Sequence, residues 1–242
     1  MIRVTIWNEF RHEQTEPVKS IYPQGIHEAI AKGIAAEDLE IRCATLDEPE
    51  HGLTDELLES TDVLLWWGHI AHKAVSDEVV AKVRARVLRG MGLIVLHSGH
   101  NSKIFSAMLG TSCSLRWRQV AEKERLWVVD PSHPIVKGIP QTFTLKHEEM
   151  YGEPFGIPDD GKIVFMSWFQ GGDVFRSGVT FQRGSGKIFY FQPGHETFPS
   201  YYDVNVLKVI GNAIRWAVPA DTGFAWACPR CEPAEPIPPA GE

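Results

Sequence analysis

The chain has 242 residues, 43% of them apolar, and a formal net charge of −7. This length and composition fit one α/β domain with a well-filled core. They exclude a clustered cationic footprint for nucleic acid and any apolar run of the roughly 18 residues that a membrane span needs.

Met1 to Trp7 alternates Ile, Val and Ile with polar positions and reads as a first strand. It lacks the basic start and small-residue cleavage site of a secretory leader, so a cytoplasmic location is expected. Asn8 to Pro23 is polar and loop-like, and Gln24 to Ala36 has helical periodicity through Ile26, Ile30 and Ile34. Leu39 to Ala44 is a second strand, and Leu53 to Ser60 a short helix with Thr54 as its cap. Asp62 to Trp67 is an almost continuous apolar run, the pattern of a parallel strand buried on both faces. Ser76 caps a helix that runs to about Arg89, with Gly90 and Gly92 stopping it. Leu93 to Leu96 is the next buried strand, and Lys103 to Leu109 a helix. The alternation of strand and helix predicts a parallel sheet with right-handed crossovers.

The second half changes character. Leu115 to Val120 and Arg125 to Val129 read as two strands, and Phe143 to Lys146 as another. Ile163 to Trp168, Phe175 to Gln182 and Lys187 to Gln192 are separated by short Gly-rich turns, which predicts antiparallel pairing. Val204 to Ala217 is an amphipathic helix that ends before Pro219. The expected fold is therefore a Rossmann-like or flavodoxin-like, mostly parallel sheet with helices on both faces and an antiparallel C-terminal extension. Residues 1–218 form a single domain, and residues 219–242 an irregular Pro-rich tail in which Phe224 and Trp226 are candidates for contact with a second copy.

Cys43 and Cys113 read as small buried or unremarkable residues. Cys228 and Cys231 form a C-x-x-C pair, but a tetrahedral zinc site needs two more ligands and no second such pair exists. A reduced pair in a coil is the reading adopted, with zinc completed from elsewhere as the alternative.

Six of the ten histidines fall at or just beyond predicted strand ends: His69, His72, His97, His100, His147 and His195. The carboxyl ends of parallel strands converge on one sheet edge, where open α/β sheets bind ligands. His12, His27, His51 and His133 are read as ordinary core or surface residues.

The turn Leu96-His97-Ser98-Gly99-His100 resembles the one in which class I glutamine amidotransferases carry their cysteine nucleophile, with His97 in its place. Gly194-His195-Glu196 resembles their late histidine motif. Lys146 to Glu149 and Trp67-Gly68-His69 fall where those enzymes carry further site segments. The chain is more similar still to the trehalose-utilisation (ThuA-like) family, through Val95-Leu96-His97, Glu148-Glu149-Met150-Tyr151, Gly194-His195 and Arg215-Trp216-Ala217. The resemblance implies the amidotransferase-like fold and a link to sugar metabolism. It does not imply glutaminase activity, which needs a thiolate at this turn. Ser98 is a poor substitute, because a nucleophile elbow needs small residues two positions either side and Ser98 has Leu96 and His100 there.

Two chemistries suit a histidine at the elbow. In one, His97 and His195 act as general acid and base, with Glu149 or Glu196 fixing a tautomer. In the other, His69, His97, His147 and His195, with Glu149 nearby, hold a zinc ion and a water. His100, Glu196, Tyr151, Trp67 and Trp168 are candidates for contact with a small sugar. No dinucleotide or phosphate-cradle fingerprint is present, so no nucleotide cofactor is expected. A sugar-processing enzyme is the leading reading. A sugar-binding module without catalysis and a zinc-dependent hydrolase of another substrate class are the alternatives.

Overall fold

The computed structural model describes residues 1–220 and 230–238. The strands are β1 (Ile2–Asn8), β2 (Leu39–Thr45), β3 (Val63–Trp67), β4 (Gly92–Leu96), β5 (Arg116–Val128), β6 (Thr142–Gly152), β7 (Lys162–Phe169), β8 (Val174–Arg183) and β9 (Gly186–Phe191). They form one sheet in the order β2-β1-β3-β4-β9-β8-β7-β5-β6. From β2 to β9 every pairing is parallel, and from β9 to β6 every pairing is antiparallel. β9 is thus the seam, parallel to β4 on one side and antiparallel to β8 on the other.

The helices are α1 (Val18–Ile21), α2 (Ile26–Ile34), α3 (Asp55–Glu59), α4 (Asp77–Leu88), α5 (Lys103–Leu109) and α6 (Val204–Ala217). Alternation along the strands divides the core into two layers. Val63, Leu65 and Trp67 pack with Ile26 and Ile30 of α2 and Val206 and Ile210 of α6. Leu64 and Trp66 face the other way, against Val79, Val83 and Val87 of α4 and Ile104 and Phe105 of α5. Helix starts follow the expected chemistry: Thr54 Oγ1 accepts from the Leu57 amide, Ser76 Oγ from Val79 and Ser102 Oγ from Phe105. Asp203 Oδ1 accepts from Asn205 at 2.8 Å and Val206 at 3.1 Å.

The structure departs from the sequence reading in three places. The polar stretch after β1 carries a 3₁₀ turn, His12–Gln14, and the short α1. The two strands expected between Leu115 and Val129 are one, β5, which crosses register shifts between Arg118 and Glu122 and between Glu122 and Glu124. Bulges of this kind break the period-2 pattern without ending the strand. For the same reason β6 does not stop at Lys146. Lys146 and His147 are both exposed and Glu148 and Glu149 both buried, so alternation fails midway although the strand continues to Gly152. Residues 230–238 contain no helix or strand, and Cys231 is exposed. Phe224, Trp226 and Cys228 lie outside the described residues. Among the described residues no helix is long and apolar enough to cross a membrane.

Candidate functional site

The carboxyl ends of β1, β3, β4 and β9 meet at one edge of the sheet, the position of ligand sites in open α/β folds. β4 delivers His97 on a sharp turn where its φ is +47°. That value is rare for a residue with a Cβ and marks a locally strained turn. Gly99 permits the turn, since a Cβ there would stand 2.8 Å from Val95 Cγ1 and 3.3 Å from the Trp66 carbonyl. The elbow expected at His97 is therefore present. His97 Nδ1 donates to the Gln192 carbonyl at 2.8 Å, and the Tyr190 hydroxyl donates to the His97 carbonyl at 3.1 Å.

β9 leads into the loop that carries His195 and Glu196. Gly194 in that loop has φ +129°, and a Cβ there would lie 2.1 Å from Tyr201 Oη, so the position requires glycine. The loop is tied down by Glu148 of β6, which accepts from the Gly194 amide at 3.2 Å, the His195 amide at 3.3 Å and the Ser200 hydroxyl. The loop after β3 is fixed in the same way by Glu9, whose carboxylate accepts from the Ile70 and Ala71 amides at 2.8 and 2.9 Å. Two buried carboxylates thus orient the loops that bear His195 and His69.

His69, His97, His195 and Glu149 each bring one potential ligand atom within 4.8 Å of the others. His97 Nε2 lies 3.2 Å from Glu149 Oε2, and His195 Nε2 lies 3.9 Å from the same oxygen. Ligands of a tetrahedral zinc ion with bonds of about 2.0–2.2 Å stand roughly 3.3–3.6 Å apart, so these separations bracket such a site. Glu149 Oε2 is buried and accepts no hydrogen bond among the described residues. The Nδ1–H of His97 on a backbone carbonyl is the outer contact that metal-bound imidazoles make. His195 Nδ1 has two neighbours on Thr197, the hydroxyl at 2.8 Å and the amide, which donates at 3.2 Å. With the amide donating, the ring proton sits on Nε2; ligation at Nε2 would place that proton on Nδ1, donated to the Thr197 hydroxyl.

Electrostatics sort these groups. Burial, with the neighbouring imidazoles adding to it, pushes His69 down to about 2. Burial and the His97 charge push His195 down to about 3. Both are therefore neutral at pH 7, the state in which histidine ligates a metal. Burial alone would lower His97 as well, but the Glu149 carboxylate outweighs it and holds the ring above its ordinary value. Burial would raise Glu149, and His97 in turn holds it below the usual carboxylate range.

A cavity of about 270 Å³ opens above this group, and Ser98, Asn101, Trp117 and Gln119 line it together with His69, His72, His100, Glu149 and Tyr151. His97 and His195 are fully buried and lie beneath it, so only His69 and Glu149 connect the cluster to the cavity. The Tyr151 hydroxyl is 2.7 Å from Ser98 Oγ and 3.3 Å from His97 Nε2. His100 Nδ1 donates to the Cys113 carbonyl at 2.8 Å, which leaves Nε2 as a free acceptor on the cavity wall. Burial, together with the His97 charge, pushes His100 down to about 4.

Several expected contacts are corrected. His147 is not a ligand: the β6 bulge turns it outward, where it is exposed beside Phe198, and Glu149 is the β6 residue in the cluster. Trp168 is half-buried under Lys123, away from the cavity. Trp67 is wholly buried, with its indole N–H donating to the Gly194 carbonyl, and offers no face to a ligand. Glu196 does not line the cavity; it lies behind it among imidazoles. His100 and Tyr151 do line it. Trp117 and Gln119 on β5 are additions that strand patterning did not reveal. His12, read as an ordinary histidine, stands with its Nε2 2.8 Å from His69 Nδ1.

Comparison with known proteins agrees with this architecture. A ThuA-like protein from Bacteroides uniformis superposes with a TM-score of 0.66 at 15% identity, covering 93% of this chain and 94% of its own. One from Parabacteroides merdae gives 0.65 at 14% identity, covering 94% and 92%. A glutamine amidotransferase from Thermotoga maritima gives 0.52 at 14% identity, covering 89% and 97%, which places the fold in the amidotransferase-like class. A search of curated proteins finds no relative that matches. The family model described as ThuA, trehalose utilisation, matches residues 3–217, and the chain belongs to that family.

Proposed function

We propose that the protein is an enzyme of carbohydrate utilisation that processes a small sugar, such as a disaccharide or its keto derivative, in the cavity above a zinc ion held by His69, His97, His195 and Glu149. The observation that carries this reading is the convergence of those four groups within 4.8 Å at the floor of a polar cavity. It favours metal assistance over direct acid–base work by His97 and His195, because both rings are fully buried and a general base must reach the proton that it takes. A zinc ion held there would supply Lewis-acid chemistry, polarising a substrate oxygen or activating water.

The protein's own groups supply the rest. Glu149 is shared between the cluster and the cavity wall. The paired hydroxyls of Ser98 and Tyr151 offer donors and acceptors to sugar hydroxyls. His100, neutral at pH 7 with Nε2 free, is the accessible base. Trp117 at the rim, 64% exposed, offers an aromatic face to a sugar ring.

The test combines metal analysis of the purified protein with turnover of trehalose, other disaccharides and their keto derivatives. Bound zinc, with turnover abolished by His97→Ala and by Glu149→Gln, is the expected result. Full turnover after chelation, or in the His97→Ala variant, overturns the reading. Tight sugar binding without product over long incubation identifies a binding module instead.

A further inference from the structure

A second group of ligand atoms adjoins the first. His12, His69 and Glu196 also place one such atom each within 4.8 Å of one another. His12 Nε2 is 2.8 Å from His69 Nδ1, and Glu196 Oε2 is 3.4 Å from the same His69 nitrogen. Glu196 Oε1 is 3.7 Å from His12 Nδ1 and 3.6 Å from His195 Nε2.

A hydrogen bond between His12 and His69 accounts for those two rings but not for Glu196. That side chain is 2% exposed, and Oε2 accepts no hydrogen bond among the described residues. Three imidazole nitrogens, of His69, His195 and His12, stand 3.4, 3.6 and 3.7 Å from the carboxylate. A buried carboxylate without donors is costly, and an orphaned acceptor of this kind calls for a specific cause. Two of these imidazoles, His12 and His69, with the unpartnered Glu196 oxygen are donors that a transition-metal ion takes.

His69 belongs to both groups, and the six residues divide evenly when it is assigned to the second. His97, His195 and Glu149 then form one three-ligand set, and His12, His69 and Glu196 the other. We propose that this edge of the sheet is a two-cation centre, with Zn²⁺ or a similar divalent transition metal bound by each set. The contact between Glu196 and His195 places the sets side by side, and two ions so held would stabilise the attacking and leaving oxygens of a displacement. The inference rests on the metal-assisted reading above and extends it from one ion to two.

The experiment titrates metal-free protein with Zn²⁺ alone by calorimetry. It uses the full chain with Cys228→Ser and Cys231→Ser, so that the tail thiols bind nothing. Two equivalents per chain are expected. His12→Ala and the near-isosteric Glu196→Gln should each reduce this to one, while far-ultraviolet circular dichroism stays unchanged. Co²⁺ loading, followed by its visible absorption, should give two resolved stages in the parent and one in Glu196→Gln. One equivalent in the parent overturns the two-cation centre and leaves the single-zinc reading standing. No binding overturns both. Two equivalents in the parent and in both variants overturn the assignment of the second set.

Discussion

His100 offers a direct test of the site's electrostatics. Burial holds its imidazole down to about 4, whereas an unfolded histidine titrates near 6.5. Because the folded value is the lower one, the unfolded state binds more protons as the pH falls. Stability is therefore lost from about pH 6.5 downward until the folded group itself protonates. Integrated between about pH 7 and about pH 5, one such histidine lowers stability by roughly 2 kcal/mol. His97 contributes with the opposite sign: its raised value gives stability that is present in full below about pH 6.5 and fades as the pH rises through the folded value. That term is common to the parent and to a His100 variant, so a comparison of the two removes it. His100→Gln keeps a donor for the Cys113 carbonyl and has no charge to gain. Urea unfolding with chelator present, at both pH values, should show the variant losing about 2 kcal/mol less than the parent. In melting temperature the difference is about 4–8 °C for a domain of this size. An identical pH dependence in the two proteins would refute the claim that this ring is kept neutral by burial.

Three further outcomes follow from the geometry. Glu148→Ala strands the Gly194 and His195 amides and the Ser200 hydroxyl, and should cost about 3–5 kcal/mol by urea midpoint, with Glu148→Gln costing clearly less. Gly99→Ala forces a Cβ against Val95 Cγ1 and should cost about 1–3 kcal/mol; in a double-mutant cycle with Val95→Ala the combined loss should be smaller than the sum. Trp117→Ala should leave stability within about 0.5 kcal/mol, since the ring is exposed, yet weaken sugar binding several-fold in a fluorescence titration, with Trp117→Phe retaining part of it.

The parallel half of the sheet was legible because its strands are continuous apolar runs between capped helices, and both Val63–Trp67 and Gly92–Leu96 appear where they were expected. The turn at His97 was legible from the resemblance of Leu96 to His100 to the amidotransferase turn. The β5–β6 arm was not, because its register shifts bury Glu148 and Glu149 in succession and expose Lys146 and His147 in succession. A reading based on alternation then selects His147 and passes over Trp117 and Gln119. His12 escaped for a different reason. It lies in a polar segment without periodicity, and only the parallel register of β1 with β3 brings it beside His69. Pairwise spacing in the chain carries no record of such a meeting.

The strained turn at His97 has a consequence for how chemistry is housed on this fold. The positive φ, the bare Cα at Gly99 and the hydroxyl of Tyr190 on the His97 carbonyl are all demands on the main chain. None depends on which side chain projects from the tip. The turn is thus a socket, shaped before its occupant is chosen, and the contacts that give His97 its character come from outside the socket, from Gln192 and Glu149. Exchange of the tip residue would change the group presented and leave these main-chain demands in place.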